Sequence, residues 1–264
     1  MPIHPTAIIS PEATIHSSAE IGAYVMVEGP VRVGEGCRVL PHAHILGDTV
    51  LGEGCTIGRG AIIGEDPQDL SFDRATQSGV RVGKGNVIRE YATIHRGSKV
   101  GSMTTVGDRN FIMAGVHFAH DVQVGDQCVI ANDALLAGHV RVGNRSFIGG
   151  GAVFHQFIRI GDGVVVQGNG SFSKDIPHFC MAQRTNRVTG LNVVGLRRQG
   201  YSTEARAALK ALFEIIFRSG YNLSQAIAIA RQQSWPEHAE RLLQFLEAPS
   251  KKGICQLRAN AEED

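Results

Sequence analysis

Aliphatic residues recur along this chain at every sixth position. Ile9, Ile15, Ile21, Val27 and Val33 open a run of ten that closes at Ile63, and nine of the ten are Val or Ile. The phase then slips by one residue. From Val82 a second run holds for fifteen apolar positions, through Val100, Phe118 and Ile148 to Val166. Glycine often follows the aliphatic residue, as at Gly22, Gly58 and Gly125. Four positions after it the residue is mostly small, as at Ala13, Cys37, Cys55, Ser98 and Ala134. Neither the 3.6 period of a helix nor the 2 period of a strand produces this spacing. A period of six predicts short straight runs with a corner after each. Three runs close an 18-residue triangular coil, and stacked coils pair as parallel strands about 4.8 Å apart. The aliphatic residue fills a corner of the prism and the small residue fills the wall. Cys37 and Cys55, 18 apart, are predicted to stack inside it.

The hexapeptide pattern resembles the left-handed β-helix family. The resemblance supplies the hand, because parallel crossovers are otherwise right-handed. The fold class expected is therefore mainly β, a left-handed parallel β-helix over residues 1–190 with a C-terminal α-helical cap over 191–264. In the cap, Leu209, Leu212, Phe213, Ile216 and Phe217 have helical spacing, and Gly220 is placed to end that helix. Leu223 to Gln233 reads as a second helix. A third starts at Pro236 and presents Leu242, Leu243 and Leu246. The polar tail LRANAEED is expected to fray. One polar stretch, Asp66 to Arg81, coincides with the phase slip and reads as a loop thrown out of the prism.

Composition narrows the function. A net charge of +1 lacks the basic excess that phosphate backbones select, so no nucleic-acid partner is expected. Five cysteines without a CxxC argue against a disulfide framework or zinc finger. No apolar stretch is long enough to span a membrane, and the start MPIHPTA has no signal-peptide character. A cytoplasmic protein is expected.

The 18-residue turn aligns distant residues in rows. One row reads His120, Gly138, Gln156; the row beside it reads Asp121, His139, Phe157. His117 and His155 adjoin them, so four of the 11 histidines gather in a few coils. A histidine followed by an acid suits a general base and its orienting carboxylate. Gly138 offers a backbone N–H of the kind an oxyanion needs, and Gln156 can hold an amide or hydroxyl.

The segments HFAHD (117–121), LAGHV (136–140), GGGAVFHQF (149–157), PQDL (67–70), TIHRG (93–97), GLNVVGLRRQG (190–200) and FRSG (217–220) resemble the UDP-N-acetylglucosamine 3-O-acyltransferase family. The resemblance implies transfer of an (R)-3-hydroxyacyl group from acyl carrier protein to the sugar 3-hydroxyl of a UDP-sugar, in a homotrimer, as the first step of lipid A synthesis. It implies His120 as base, Asp121 as its orienting neighbour and Gly138 as oxyanion donor. It places Gln68, Asp69, His95, His117, His139, His155, Gln156, Asn192 and Arg198 around the substrates, and Gly168 at the end of the acyl groove. Such ester formation from a thioester needs no metal and no cofactor.

Three positions depart from that family's pattern. Ser71 stands for a Lys, Val194 for a Glu and Gln199 for a second Arg. Either Arg74 or Arg197 compensates, or the acceptor differs, for example in carrying a 3-amino group. Other left-handed β-helices resemble carbonic anhydrase and bind zinc through three histidines. His117 and His120 are candidate ligands there, although their spacing of three differs from the usual five.

Overall fold

The computed structural model describes residues 3–257; the tail LRANAEED lies outside them beyond Leu257. Twenty-five short strands, β1 (Ile8–Ile9) to β25 (Ser171–Phe172), wind into a left-handed parallel β-helix whose walls are three sheets. Each sheet takes every third strand, as in β1-β4-β7. The register is the 18-residue turn: Ile9 pairs with Val27 and Val27 with Ile45. The repeating aliphatics are the core, with Ile45, Ile57, Ile63, Ile112 and Ile130 all fully buried. Each such side chain contributes about 1.5–3 kcal/mol of burial. Cys37 and Cys55 lie inside, with thiols 3.0 Å from the carbonyls of Gly52 and Gly83.

Corners require left-handed backbone. One column of corners is Gly36, Gly54, Gly85, Arg109, Gln127 and Arg145, all at positive φ; another is Asp121 (φ 61), His139 (φ 61) and Phe157 (φ 69). At the first of these corners, Asp126, Asn144 and Asp162 each accept the backbone N–H one coil below, at 2.7–2.8 Å. This ladder ties successive coils where the strands stop.

The prism is interrupted twice. Ile62 pairs with Thr93, thirteen residues beyond one turn. The extra residues form the loop 66–78, shorter than the expected span to Arg81, because Gly79–Arg81 already belong to β11 (Gly79–Val82) and pair with β8 (Asp48–Leu51). Thr93 in turn pairs with His117, 24 residues away, so a second insertion of six lies between β13 (Thr93–His95) and β14 (Met103–Val106). Two positions assigned to the repeat sit in it. Val100 is 81% exposed on its turn, and Ser98 hydrogen-bonds to Asp121 instead of filling the wall. An insertion of one period leaves the phase intact, so periodicity alone could not reveal it.

Strand β26 (Cys180–Gln183) continues one sheet, and β27 (Arg187–Leu191) turns back antiparallel to it. A short helix α1 (Val193–Arg198), α2 (Thr203–Arg218), α3 (Leu223–Ala230) and α4 (Glu237–Glu247) follow. Ser202 caps α2, and Asn222 with Gln225 forms a capping box on α3. Gly220 ends α2 at φ 83, and α4 begins after Pro236. Helix α3 stops at Ala230, short of Gln233, where the Trp235 indole donates to its last carbonyl. The chain then returns to the prism, where Cys255 N–H donates to the Asp175 carbonyl.

Candidate active site

The His120 side chain stands at the corner between two walls, and Asp121 beside it is 7% exposed. The ring nitrogens are distinguished by their neighbours: Nδ1 lies 2.8 Å from Asp121 Oδ2. That contact places the ring proton on Nδ1 and leaves Nε2 with a free lone pair, the arrangement of a general base. Asp121 is itself held. Its Oδ2 accepts the Ser98 hydroxyl at 2.6 Å and the Ser98 N–H at 3.1 Å, and its own N–H donates to Thr104 Oγ1. Burial alone would raise the Asp121 pKa. Hydrogen bonds from His120, Ser98 and Ser102 outweigh it and hold the carboxyl well below its usual range. The carboxylate therefore stays ionised beside the imidazole.

Gly138 lies against the same ring. A Cβ built there would sit 2.5 Å from His120 Cε1 and 2.6 Å from Nε2, so only glycine leaves the imidazole in place. Among the described residues the Gly138 N–H has no acceptor, unlike the ladder positions. His120, Gly138, His117, His155 and Gln68 share a cleft of about 510 Å³. Its wall includes Leu135 and Val153, successive members of an outward row, both partly exposed. Their signal was present in the sequence, since polar residues commonly precede the core aliphatic, and here apolar ones do. Sequence reasoning missed Leu135, Val153, Ser102 and Thr104 as site residues, and it assigns Ser98 to the wall.

The remaining predicted residues divide by position. His139 lines a second cleft of about 690 Å³ with Asp121, Lys99, Arg141 and Lys251. Its ring meets His120 edge-on at 5.1 Å and stacks on Phe157 at 4.6 Å. Burial lowers its pKa. Asp69 is on the exposed loop, and hydrogen bonds from Ser71 are the main cause of its lowered pKa. Ser71 thus does a different job from a lysine, donating both its hydroxyl and its N–H to Asp69 Oδ1. Arg74 is engaged with Asp66 at 3.3 Å. Gln156 is exposed and lines neither cleft. Asn192 caps α1, accepting from Gly195 N–H and donating to the Gly163 carbonyl, and Arg198 is exposed on α1; the protomer does not bring either to His120. Gly168 stacks over Gly150, whose carbonyl would lie 2.9 Å from a Cβ added there.

Among the described residues, His117 is not part of the cluster of potential ligand atoms that contains His120. His117 Nδ1 is 2.7 Å from Thr93 Oγ1, and its ring packs edge-on against His95. The atoms that do converge, within 4.8 Å, belong to His120, Asp121 and His139. His95 is 4% exposed, with Nδ1 unpartnered, and burial pushes its pKa down to about 4. Below its ordinary value of about 6.5 the unfolded chain takes up a proton that the folded protein refuses. Stability is expected to fall as pH drops from about 6.5 to 4. Urea midpoints across that window should slope less steeply in His95→Gln; equal slopes would refute the assignment.

Residues 175–255 match the family described as Udp N-acetylglucosamine O-acyltransferase, domain 2, and residues 12–47, 30–65 and 103–138 match the bacterial transferase hexapeptide. The acyl-[acyl-carrier-protein]–UDP-N-acetylglucosamine O-acyltransferase of Thermodesulfovibrio yellowstonii is 43% identical over 96% of this chain and 98% of its own. Among solved structures, a UDP-N-acetylglucosamine acyltransferase from Bacteroides fragilis superposes with TM-score 0.91 at 36% identity, over 96% of this chain and 99% of its own. The Arabidopsis enzyme gives 0.86 at 32% identity, over 96% and 100%. No described helix is long and apolar enough to cross a membrane.

Proposed function

The chain belongs to the acyl-[acyl-carrier-protein]–UDP-N-acetylglucosamine O-acyltransferase family, and on that premise we propose that His120 is the base of a hydroxyacyl transfer to the sugar 3-hydroxyl. The acyltransferase transfers the acyl group from acyl carrier protein to UDP-N-acetylglucosamine, opening lipid A synthesis. His120 Nε2 takes the proton of the 3-hydroxyl as its oxygen attacks the thioester carbonyl. The Gly138 N–H receives the oxyanion of the tetrahedral intermediate. Collapse breaks the C–S bond, and the imidazolium returns its proton to the departing thiolate. Asp121 keeps the ring in the productive tautomer throughout. The observation that carries this reading is the 2.8 Å Nδ1–Asp121 contact together with Gly138 beside the opposite nitrogen.

Gln68, Asp69, His95, His117, His139, His155 and Gln156 surround the acceptor and donor in this reading. Asn192 and Arg198 reach a site only from another subunit, which fits a homotrimer with clefts between prisms. Leu135 and Val153, exposed apolar neighbours in successive coils of the wall that carries His117, suit such packing and an acyl groove. A carrier-protein donor and a UDP-sugar acceptor suit a reaction in the cytoplasm.

Product mass after incubation with UDP-N-acetylglucosamine and a set of 3-hydroxyacyl carrier proteins tests the assignment. One added hydroxyacyl group supports it and reads out chain length. Transfer only to a 3-amino analogue would assign Ser71, Val194 and Gln199 to a changed acceptor. In the same assay Gly168→Met is expected to shift the product toward shorter chains; unchanged selectivity removes Gly168 as a ruler. Its melting temperature should be followed too, because of the 2.9 Å approach to Gly150.

A further inference from the structure

The loop 66–78 carries Gln68 and Asp69 to the mouth of the His120 cleft, yet its tip packs on little: Leu70 and its neighbours are exposed. Most of its side-chain anchoring comes from one residue on the next coil of the same wall. Arg96 follows β13 at the start of the six-residue insertion, and its side chain is only 12% exposed. Nε donates to Asp66 Oδ1 at 2.9 Å, Nη2 to the Arg74 carbonyl at 2.9 Å, and Nη1 to the Thr76 carbonyl and to Ser78 Oγ. The Phe72 ring lies 4.8 Å from the guanidinium. The loop is wrapped around this one group, with contacts at its first residue, its middle and its last.

The next two residues carry the connection from the loop to the base. Gly97 is wedged against Ser102, with no room for a Cβ, and its carbonyl accepts the Ser78 hydroxyl. Ser98 donates twice to Asp121, the carboxylate that orients His120. Three consecutive residues therefore grip the substrate loop at one end and the base's carboxylate at the other.

We propose that Arg96 is a positioning residue for the acceptor: it indexes Gln68 and Asp69 to His120 through the 66–78 loop, without touching substrate. This rests on the acyl-transfer reading given above. A guanidinium fork suits the task because it serves two carbonyls, a hydroxyl and a carboxylate at fixed angles, which a lysine ammonium cannot do.

The test compares Arg96→Met, Arg96→Lys, Gln68→Ala and the Arg96→Met/Gln68→Ala double variant. Arg96→Met is expected to lower kcat/KM for the UDP-sugar by about 100-fold, the cost of misplacing a substrate by about 1 Å, with a several-fold smaller effect toward the acyl donor. Arg96→Lys, keeping only the Asp66 pair, falls between. The double variant should be no worse than the poorer single, because both remove the same contact. Multiplying effects, an equal loss toward both substrates, or unchanged kinetics would overturn the proposal. A readout independent of chemistry is tryptic cleavage after exposed Arg74: several-fold faster cutting in Arg96→Met is expected, at an unchanged melting temperature. Unchanged cutting, or a lowered melting temperature that accounts for the kinetic loss, rejects the positioning role. Wild-type protein that transfers nothing would instead sink the acyl-transfer reading, with the cleavage result still deciding whether Arg96 holds the loop.

Discussion

His120→Ala is expected to lower kcat by about 10²–10⁴, the range a positioned general base contributes. That equals about 3–5 kcal/mol of transition-state stabilisation. The sugar hydroxyl is a poor nucleophile at neutral pH. Without a base at Nε2 it must lose its proton to water during attack. The fold should survive, because His120 lies outside the row of buried aliphatics, and the neighbouring core residues Phe118 and Val122 are untouched. Circular dichroism and melting temperature should match the wild type, and the acceptor KM should change little. Steady-state kinetics with the natural donor provide the check. A variant that keeps more than a tenth of wild-type kcat would remove His120 from the chemistry. Asp121→Ala should show a smaller loss, since the imidazole remains but is free to choose the wrong tautomer.

Gly138→Ala tests the other half of the site without removing any catalytic group. The added methyl would sit 2.5 Å from His120 Cε1, well inside contact distance, so the ring must move. Its freedom is small, because Nδ1 is tied to a carboxylate that Ser98 holds in place. Displacing a reacting group by about 1 Å costs on the order of 100-fold in rate. The Gly138 N–H itself is retained, so the loss falls on the base and not on the oxyanion donor. Two results then identify the cause. The kcat should fall by about 100-fold, with stability reduced by no more than about 1–3 kcal/mol for a local overpacking. In His120→Ala/Gly138→Ala the alanine at 138 should add little, since the ring it collides with is gone. A further 100-fold fall in the double variant would show that Gly138 acts independently of His120.

Much of the site was legible because the turn length converts sequence spacing into neighbourhood. His120 over Gly138, and Asp121 over His139 and Phe157, follow from 18 residues per coil, and the structure places them so. The acceptor loop announced itself by breaking the phase. The loop at 96–102 did not, because its six extra residues equal one repeat. Val100 kept the expected beat while projecting into solvent, and Ser98 was mistaken for a wall residue. The same blindness hid Arg96, whose partners lie up to 30 residues back in a loop of different length. Asn192 is a different case: resemblance marks it as a substrate residue, and what the protomer adds is that its amide oxygen caps α1 while its amide nitrogen donates to the Gly163 carbonyl.

The sequence by itself determined the prism, its pitch, its inward residues and the adjacency of the histidine patch. These depend on a local repeat, and each coil is templated by the one beneath it through backbone pairing and a shared aliphatic column. It also determined the helices α2, α3 and α4, through apolar spacing and caps. Only the tertiary structure decided which ring nitrogen of His120 faces Asp121, why Gly138 must lack a side chain, and how Arg96 and Ser98 tie the substrate loop to the base. Those facts depend on side-chain directions and on where non-repeating loops settle. No period encodes either, because each is set by hydrogen bonds between segments that the repeat does not relate.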